Sequence, residues 1–199
     1  MSKKNNSKKP DELQEVNEAL GKTEAFIEKY LKQIILFILA IIVITLGIIL
    51  FRTKYVAPRE LKAQEQIYKG ENYFALDSFQ LAINGDNAGY IGFKKIIDEY
   101  GMTKTANLAN AYMGISYFKL GEYENASKYL NKFDGKDEMV APAIIGLIGD
   151  CYVELGDTQK AITYFLKAAN TDNALISPFY LKKAGTAYEK LGKYDKAIE

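Results

Sequence analysis

Three near-identical punctuation marks constrain this chain more than any other feature: Tyr117 with Leu120 and Gly121, Tyr152 with Leu155 and Gly156, and Tyr188 with Leu191 and Gly192. The three glycines stand 35 and then 36 residues apart, and an alanine follows each within a few residues, at Ala126, Ala161 and Ala197. A period in that range, with helical patterning on both sides of every glycine, predicts a stack of helical hairpins whose members bury their apolar faces only against one another. The glycines suit the position just past a helix end, where a left-handed backbone is cheap for glycine alone. Asp157 follows its glycine as a ready N-cap for the second helix, whereas Glu122 and Lys193 cap poorly and leave more to the turn itself. Pro142 and Pro178 fall where first helices should begin, with Ser177 as the expected cap of the latter.

Residue by residue these units resemble the tetratricopeptide repeat family. Gly114, Gly149 and Gly185 occupy that family's small position in the first helix, and Ala126, Ala161 and Ala197 the small position in the second. Tyr117, Tyr152 and Tyr188 fill the aromatic position, and Phe165 and Ala168 the later large and small ones, where the preceding repeat has Leu130 and Phe133. The fold class expected is therefore all-α: one transmembrane helix followed by an α-solenoid of antiparallel hairpins. Repeats are expected over 107–141 and 142–177, with a partial one over 178–199 that stops in the first turns of its second helix and reads as truncated. A longer, degenerate opening hairpin is expected over 58–106. Its first helix carries Ile67, Phe74, Phe79, Ala82 and Ile83, lacks the small glycine and has Asp77 near that place. Gly85 to Asn87 is its turn, and Phe93, Ile96, Ile97 and Tyr100 form the stripe of its second helix.

Upstream, no residue between Lys32 and Arg52 is charged, and Ile34 to Phe51 is almost wholly Ile, Leu, Val and Phe. At 1.5 Å per residue such a run crosses roughly 30 Å of hydrocarbon. A membrane span is thus expected over 33–52, embedded in the lipid bilayer. A cleaved signal peptide fits less well, since the leader is long and no small-x-small cleavage site follows. Lys3, Lys4, Lys8 and Lys9 lie in a short tail, residues 1–10, that is read as disordered and retained inside; the lysines and arginines near the span alone would point the other way. Between tail and span, in a lead-in helix over 11–32, Leu13, Val16, Leu20, Thr23, Ile27, Tyr30 and Ile34 alternate steps of three and four. That stripe suits a helix lying on the membrane, a weak homodimer seam or a partner-binding helix.

Chemistry finds little foothold. The chain has no histidine and a single cysteine, Cys151, so histidine bases, histidine-ligated metals and an internal disulfide are all excluded. No catalytic, metal or cofactor site is expected, and the chain is not read as an enzyme. Asp98, Glu99, Asp150 and Glu154 read as ordinary helix-surface carboxylates, Cys151 as a small core residue, and the segment from Gly89 to Gly92 as close packing rather than a phosphate loop. A net charge of +1 gives no reason to expect nucleic acid.

What the resemblance implies is recognition of proteins or peptides along the face lined by first helices. The groove positions it assigns are Ile115, Phe118 and Lys119; Asp150, Val153 and Glu154; and Lys182, Thr186, Glu189 and Lys190. Ala111 and Ile115 stand where some family members carry a Lys/Asn clamp for a terminal carboxylate, so that mode is disfavoured. The overall plan is similar to single-pass inner-membrane proteins of YfgM type. It implies an amino terminus in the cytoplasm, repeats in the periplasm, and translocon subunits or envelope chaperones as partners of a scaffold. The other reading is an extracytoplasmic sensor or interaction domain of a larger signalling protein continuing past residue 199.

Overall fold

The computed structural model describes residues 9–171 and 173–198, with side chains described at Gly21 and from Glu28 onward. It divides into two units, Met1–Arg52 and Thr53–Glu199. The described residues of the first, up to Phe51, form one helix, α1 (Lys9–Phe51). Lys9 and Pro10, inside the stretch read as a disordered tail, are helical; the rest of that tail, and the side chains of the stripe from Leu13 to Ile27, lie outside the described residues. Helix α1 joins the expected lead-in and span without a break and is long and apolar enough to cross a membrane. At its single hydroxyl within the apolar run, Thr45 Oγ1 donates to the Ile41 carbonyl at 2.7 Å, so no polar group there depends on water.

A π-helical turn (Arg52–Val56) precedes the helices described in the second unit: α2 (Ala57–Ala75), α3 (Phe79–Asn84), α4 (Gly92–Tyr100), α5 (Lys104–Lys119), α6 (Tyr123–Leu130), α7 (Val140–Glu154), α8 (Thr158–Ala169), α9 (Ile176–Lys190) and α10 (Tyr194–Ile198). From α5 onward each packs mainly on its neighbours in sequence, α5 on α6, α6 on α7, α7 on α8 and α8 on α9, as a solenoid requires, while α2 packs on α3, α4 and α5 alike. The apolar core is accordingly divided into three successive clusters, centred on Phe93 with Met113, on Leu130 with Ile148, and on Phe165 with Tyr180.

The three Leu-Gly turns are built alike. Gly121, Gly156 and Gly192 have φ near +70 to +80°. The amide of the residue after each reaches back to the carbonyl of the repeat tyrosine: Glu122 to Tyr117 at 2.9 Å, Asp157 to Tyr152 at 2.9 Å, Lys193 to Tyr188 at 3.0 Å. A fourth copy of this turn stands where no glycine announces it. Asp77 has φ 53°, and the Ser78 amide reaches the Tyr73 carbonyl at 2.9 Å. Counting back from Asp77 as from each turn glycine puts Tyr73 at the aromatic position and Gly70 at the small one, and a Cβ on Gly70 would lie 2.5 Å from the Phe93 ring. The opening unit therefore does carry the small glycine, contrary to the sequence reading, and Asp77 belongs to the turn.

Its first helix is not one long element either: α2 ends at Ala75 and α3 is the start of the second helix, with Ala82 buried at the small position. Residues 85–91 then interrupt that second helix before α4 resumes it. Leu130 follows Gly114 by sixteen residues and Phe165 follows Gly149 by sixteen, but Phe93 follows Gly70 by twenty-three. The extra residues form a tied loop. Asp86 Oδ1 accepts from the amides of Ala88 (2.8 Å) and Tyr90 (2.9 Å), its Oδ2 accepts from the Tyr73 hydroxyl (2.5 Å), and the Tyr90 hydroxyl donates to the Ala82 carbonyl (2.7 Å). These donors, the Tyr73 hydroxyl first, hold the Asp86 carboxyl below its usual pKa.

Helix starts differ from expectation as well. Helices α7 and α9 begin two residues before Pro142 and Pro178, so both prolines sit inside the first turn, where their missing N–H costs nothing. Ser177 is inside α9 and is not its cap. Instead Asn173 Oδ1 accepts from the Leu175 and Ile176 amides (3.0 and 3.2 Å), and Asp137 Oδ1 does the same for Met139 and Val140 (2.8 and 2.7 Å). Asp157 caps α8 as expected, accepting from the Lys160 amide at 3.1 Å, while Glu122 makes no cap bond.

At the start of α2, Glu60 Oε2 accepts from the Lys104 amide (2.8 Å) and Oε1 from the Thr105 hydroxyl (2.6 Å), tying α2 to the first turn of α5 across more than forty residues. Beside it the Arg59 guanidinium donates to the Glu99 carbonyl and lies 5.0 and 5.6 Å from the Tyr55 and Tyr100 rings. Glu60→Ala is expected to cost about 1–2 kcal/mol, the size of a lost helix-terminus acceptor. Denaturant unfolding should show a lower midpoint with unchanged slope, and Glu60→Gln should fall between. An unchanged midpoint for Glu60→Ala would mean that this tie carries no stability.

Candidate functional site

The small glycines decide where the first helices run. A Cβ on Gly114 would lie 2.5 Å from Leu130 Cγ and 2.9 Å from its backbone nitrogen, and one on Gly149 would lie 2.6 Å from Phe165 Cε1. Gly146 does the same for the next repeat, since a Cβ there would run into the Tyr180 ring. Helices α7 and α9 thus lie on either side of Phe165 from α8, and a hollow of about 420 Å³ opens between them. Phe165, buried, forms its base, with Val153 and half-exposed Phe179 on the walls and Lys182, Thr186 and Lys190 along α9.

Charge in the hollow is already partly settled. Asp150 on α7 holds the Lys183 ammonium at 2.7 and 2.8 Å, and that ammonium also lies 5.1 to 5.9 Å from the rings of Phe165, Phe179 and Tyr180. Asp150 is therefore one half of an inter-repeat ion pair and not a free surface charge. Both members are about 30% exposed, so the pair fixes α9 against α7 more than it stabilises the fold.

Of the residues assigned to the groove from sequence, Asp150, Val153, Lys182, Thr186 and Lys190 come together in this hollow. Glu189 lines a second hollow of about 600 Å³ with Leu166, Leu181 and Tyr188, and Lys182 and Thr186 line both hollows. Glu154 is exposed and lines neither. Ile115 and Phe118 are partly buried against the second core cluster, Phe118 edge-on to Tyr123 at 5.4 Å, and Lys119 is exposed at the end of α5. Phe179 and Lys183 were missed. Phe179 follows Pro178 in the first turn of α9, and the partner of Lys183 stands 33 residues upstream, so only the packing of two repeats brings them to one place.

Cys151 is fully buried and its thiol is pushed up to about 12 by burial, leaving no thiolate near neutrality. Among the described residues no group of three His, Cys, Asp or Glu side chains is placed to hold a metal ion.

Stacked hairpins with a groove between first helices define a helical-repeat protein. The repeats are of the tetratricopeptide type: two models of the tetratricopeptide repeat match, over residues 112–135 and 143–174. A comparison with curated proteins finds no match. Such repeats are typically non-enzymatic scaffolds that bind other proteins.

Proposed function

We propose that this chain is a single-pass, membrane-anchored scaffold of the bacterial cell envelope that holds a protein partner in the groove between α7 and α9, on the periplasmic side. Translocon subunits or envelope chaperones are the partner class. The observation that carries the reading is the hollow itself: an apolar base at Phe165 between two first helices, rimmed by polar side chains and wide enough for a side chain of a partner. The apolar run of α1 supports anchoring, and the short lysine-rich leader supports an inside amino terminus.

A photo-reactive amino acid at Thr186 of the full chain, in intact cells, should crosslink to translocon subunits or envelope chaperones, while one at exposed Lys95 on α4 should not. A reporter active only after export, fused after Asp157, should be active. Equal adducts from both positions would remove the groove from the reading, and activity of a cytoplasm-only reporter would reverse the topology.

A further inference from the structure

The starts of the first helices lie along one edge of the second unit. Glu60, in the first turn of α2, accepts from the Lys104 amide and the Thr105 hydroxyl at the start of α5. Asn107, in the first turn of α5, exchanges two hydrogen bonds of 2.8 Å with the Asp134 backbone in the loop that leads to α7. Gly146 in α7 lies against Tyr180 near the start of α9. Along this edge a large apolar side chain stands out just before α5, α7 and α9: Met102 is 68% exposed, Met139 60% and Leu175 81%. A residue at that place commonly staples back onto the first turn of its helix, but at such exposure none of these packs as a staple. Nor does any of them join a core cluster. At the opposite edge the turn leucines are better covered: Leu155 is half-buried and Leu120 and Leu191 are 36 and 39% exposed, with Leu76 alone matching the near edge at 75%.

The same edge is where the second unit begins. Thr53 to Val56 run straight into α2, and the Tyr55 and Tyr100 rings lie 5.0 and 5.6 Å from Arg59 there. Tyrosine is enriched at the membrane–water boundary, where its ring meets apolar surroundings and its hydroxyl meets water. The expected span ends at Arg52, and residues 53–56 reach at most about 14 Å even when extended. A first helix such as α5, 16 residues long, holds the far edge about 24 Å from the near one. A bilayer that holds the span therefore meets this edge first. Lys104 and Lys136 stand on it with Asp137 and Glu138, so the apolar side chains carry the contact rather than a net charge. We propose that this edge rests on lipid, with Met102, Met139 and Leu175 inserted in the interfacial layer of the bilayer that holds the span. The anchor keeps the edge beside lipid at high effective concentration, so three modest insertions suffice. The proposal rests on the anchored reading and adds that the repeats are docked rather than free to swing. Docking holds the α7–α9 hollow, lined from Phe179 to Lys190 along α9, within about 22 Å of the membrane surface, the length of α9. The partner segments it can take are then those that lie close to the bilayer.

The test uses the full chain in phosphatidylcholine vesicles containing a nitroxide lipid, labelled either near the headgroup or at mid-chain. One introduced cysteine at a time carries a fluorophore, and Cys151, fully buried, stays in place. The shallow nitroxide should quench Met102→Cys, Met139→Cys and Leu175→Cys, and the deep one Ile42→Cys in the span. Glu124→Cys, exposed beyond the Gly121 turn on the opposite edge, should keep its intensity with both. A fluorophore at Lys136→Cys reports on the edge without replacing an apolar residue. It should be quenched when the edge is intact and lose that quenching in Met102→Ser with Met139→Ser and Leu175→Ser, each serine lowering the docked-to-undocked ratio on the order of tenfold. All three side chains are exposed, so the melting temperature should not change. Added salt should leave the quenching as it was, because no net charge drives the contact. Quenching at Ile42 with none at the edge, or equal quenching at the edge and at Glu124, overturns the proposal and leaves the anchor standing. Quenching at the edge without quenching at Ile42 leaves the docked edge standing and removes the anchor. With neither, both fall.

Discussion

Gly149→Leu is expected to destabilise the repeats by about 3 kcal/mol or more, at the upper end of what overpacking a filled core costs. The reason is local. The Cβ alone would stand 2.6 and 2.7 Å from Phe165 Cε1 and Cδ1, and Phe165 cannot turn away because it is buried among Ala161, Ala168 and Tyr180. Relief must come from α7 and α8 moving apart, which opens the base of the groove. Phe165→Ala alone should cost about 3–5 kcal/mol through the cavity it leaves. In the double variant the leucine occupies part of that cavity, so the combined cost should fall short of the sum by about 1–2 kcal/mol. Urea unfolding of all three variants measures the coupling. Strict additivity would show that position 149 and Phe165 do not share one space, and the register of the repeats would be wrong.

How much of this was legible depended on which residues reported their own role. Turn glycines did, because a left-handed residue after a helical stripe has few substitutes, and Gly121, Gly156 and Gly192 could be read on sight. The same geometry at Asp77 could not, since aspartate also caps helices and decorates surfaces; with Asp77 placed near the small position, Gly70 and Tyr73 fall out of register. The loop between α3 and α4 completed the concealment by moving the large residue of that repeat from its usual distance to Phe93. Caps were partly hidden for a related reason. Prolines at the third helical position advertise a start without fixing it, so Asp137 and Asn173, whose side chains settle the boundary, lay outside the expected helices.

The groove followed the same rule. Lys182, Thr186 and Lys190 share a face of one helix and could be found by counting along it. The Asp150–Lys183 pair and the place of Phe179 depend on how far α9 stands from α7. That distance is set by Gly146 against Tyr180, a contact between two repeats that neither helix announces. Counting along single helices thus reaches Lys182, Thr186 and Lys190, while their meeting with Asp150 and Lys183 around one hollow emerges only from packing.

Gly92→Ala should be among the most damaging single-methyl changes in the chain. Gly92 opens α4 with φ +87°, and a Cβ there would lie 2.5 Å from the Asn84 carbonyl carbon, the Gly85 nitrogen and the Ile83 oxygen, all backbone. No rotamer can yield, because nothing in the way is a side chain. Strain at a positive φ costs about 1–3 kcal/mol and forced separation of packed backbone a similar amount, so a loss of about 3 kcal/mol or more is expected. Gly89→Ala is the control: its φ is +104°, yet the nearest atom to a Cβ is Lys69 Nζ at 4.0 Å, so it carries the conformational cost alone. The difference between the two isolates the close approach of α3 and α4. Because repeat arrays couple mainly to nearest neighbours, hydrogen exchange in Gly92→Ala should accelerate across α3 and α4 while α8 and α9 keep most of their protection. Crosslinking of the partner from Thr186 should then survive a change that loosens the opening repeat. Equal stabilities for the two alanine variants would mean that the α3–α4 crossing is not closed at Gly92, and uniform loss of protection through α9 would mean that the array unfolds as one cooperative block.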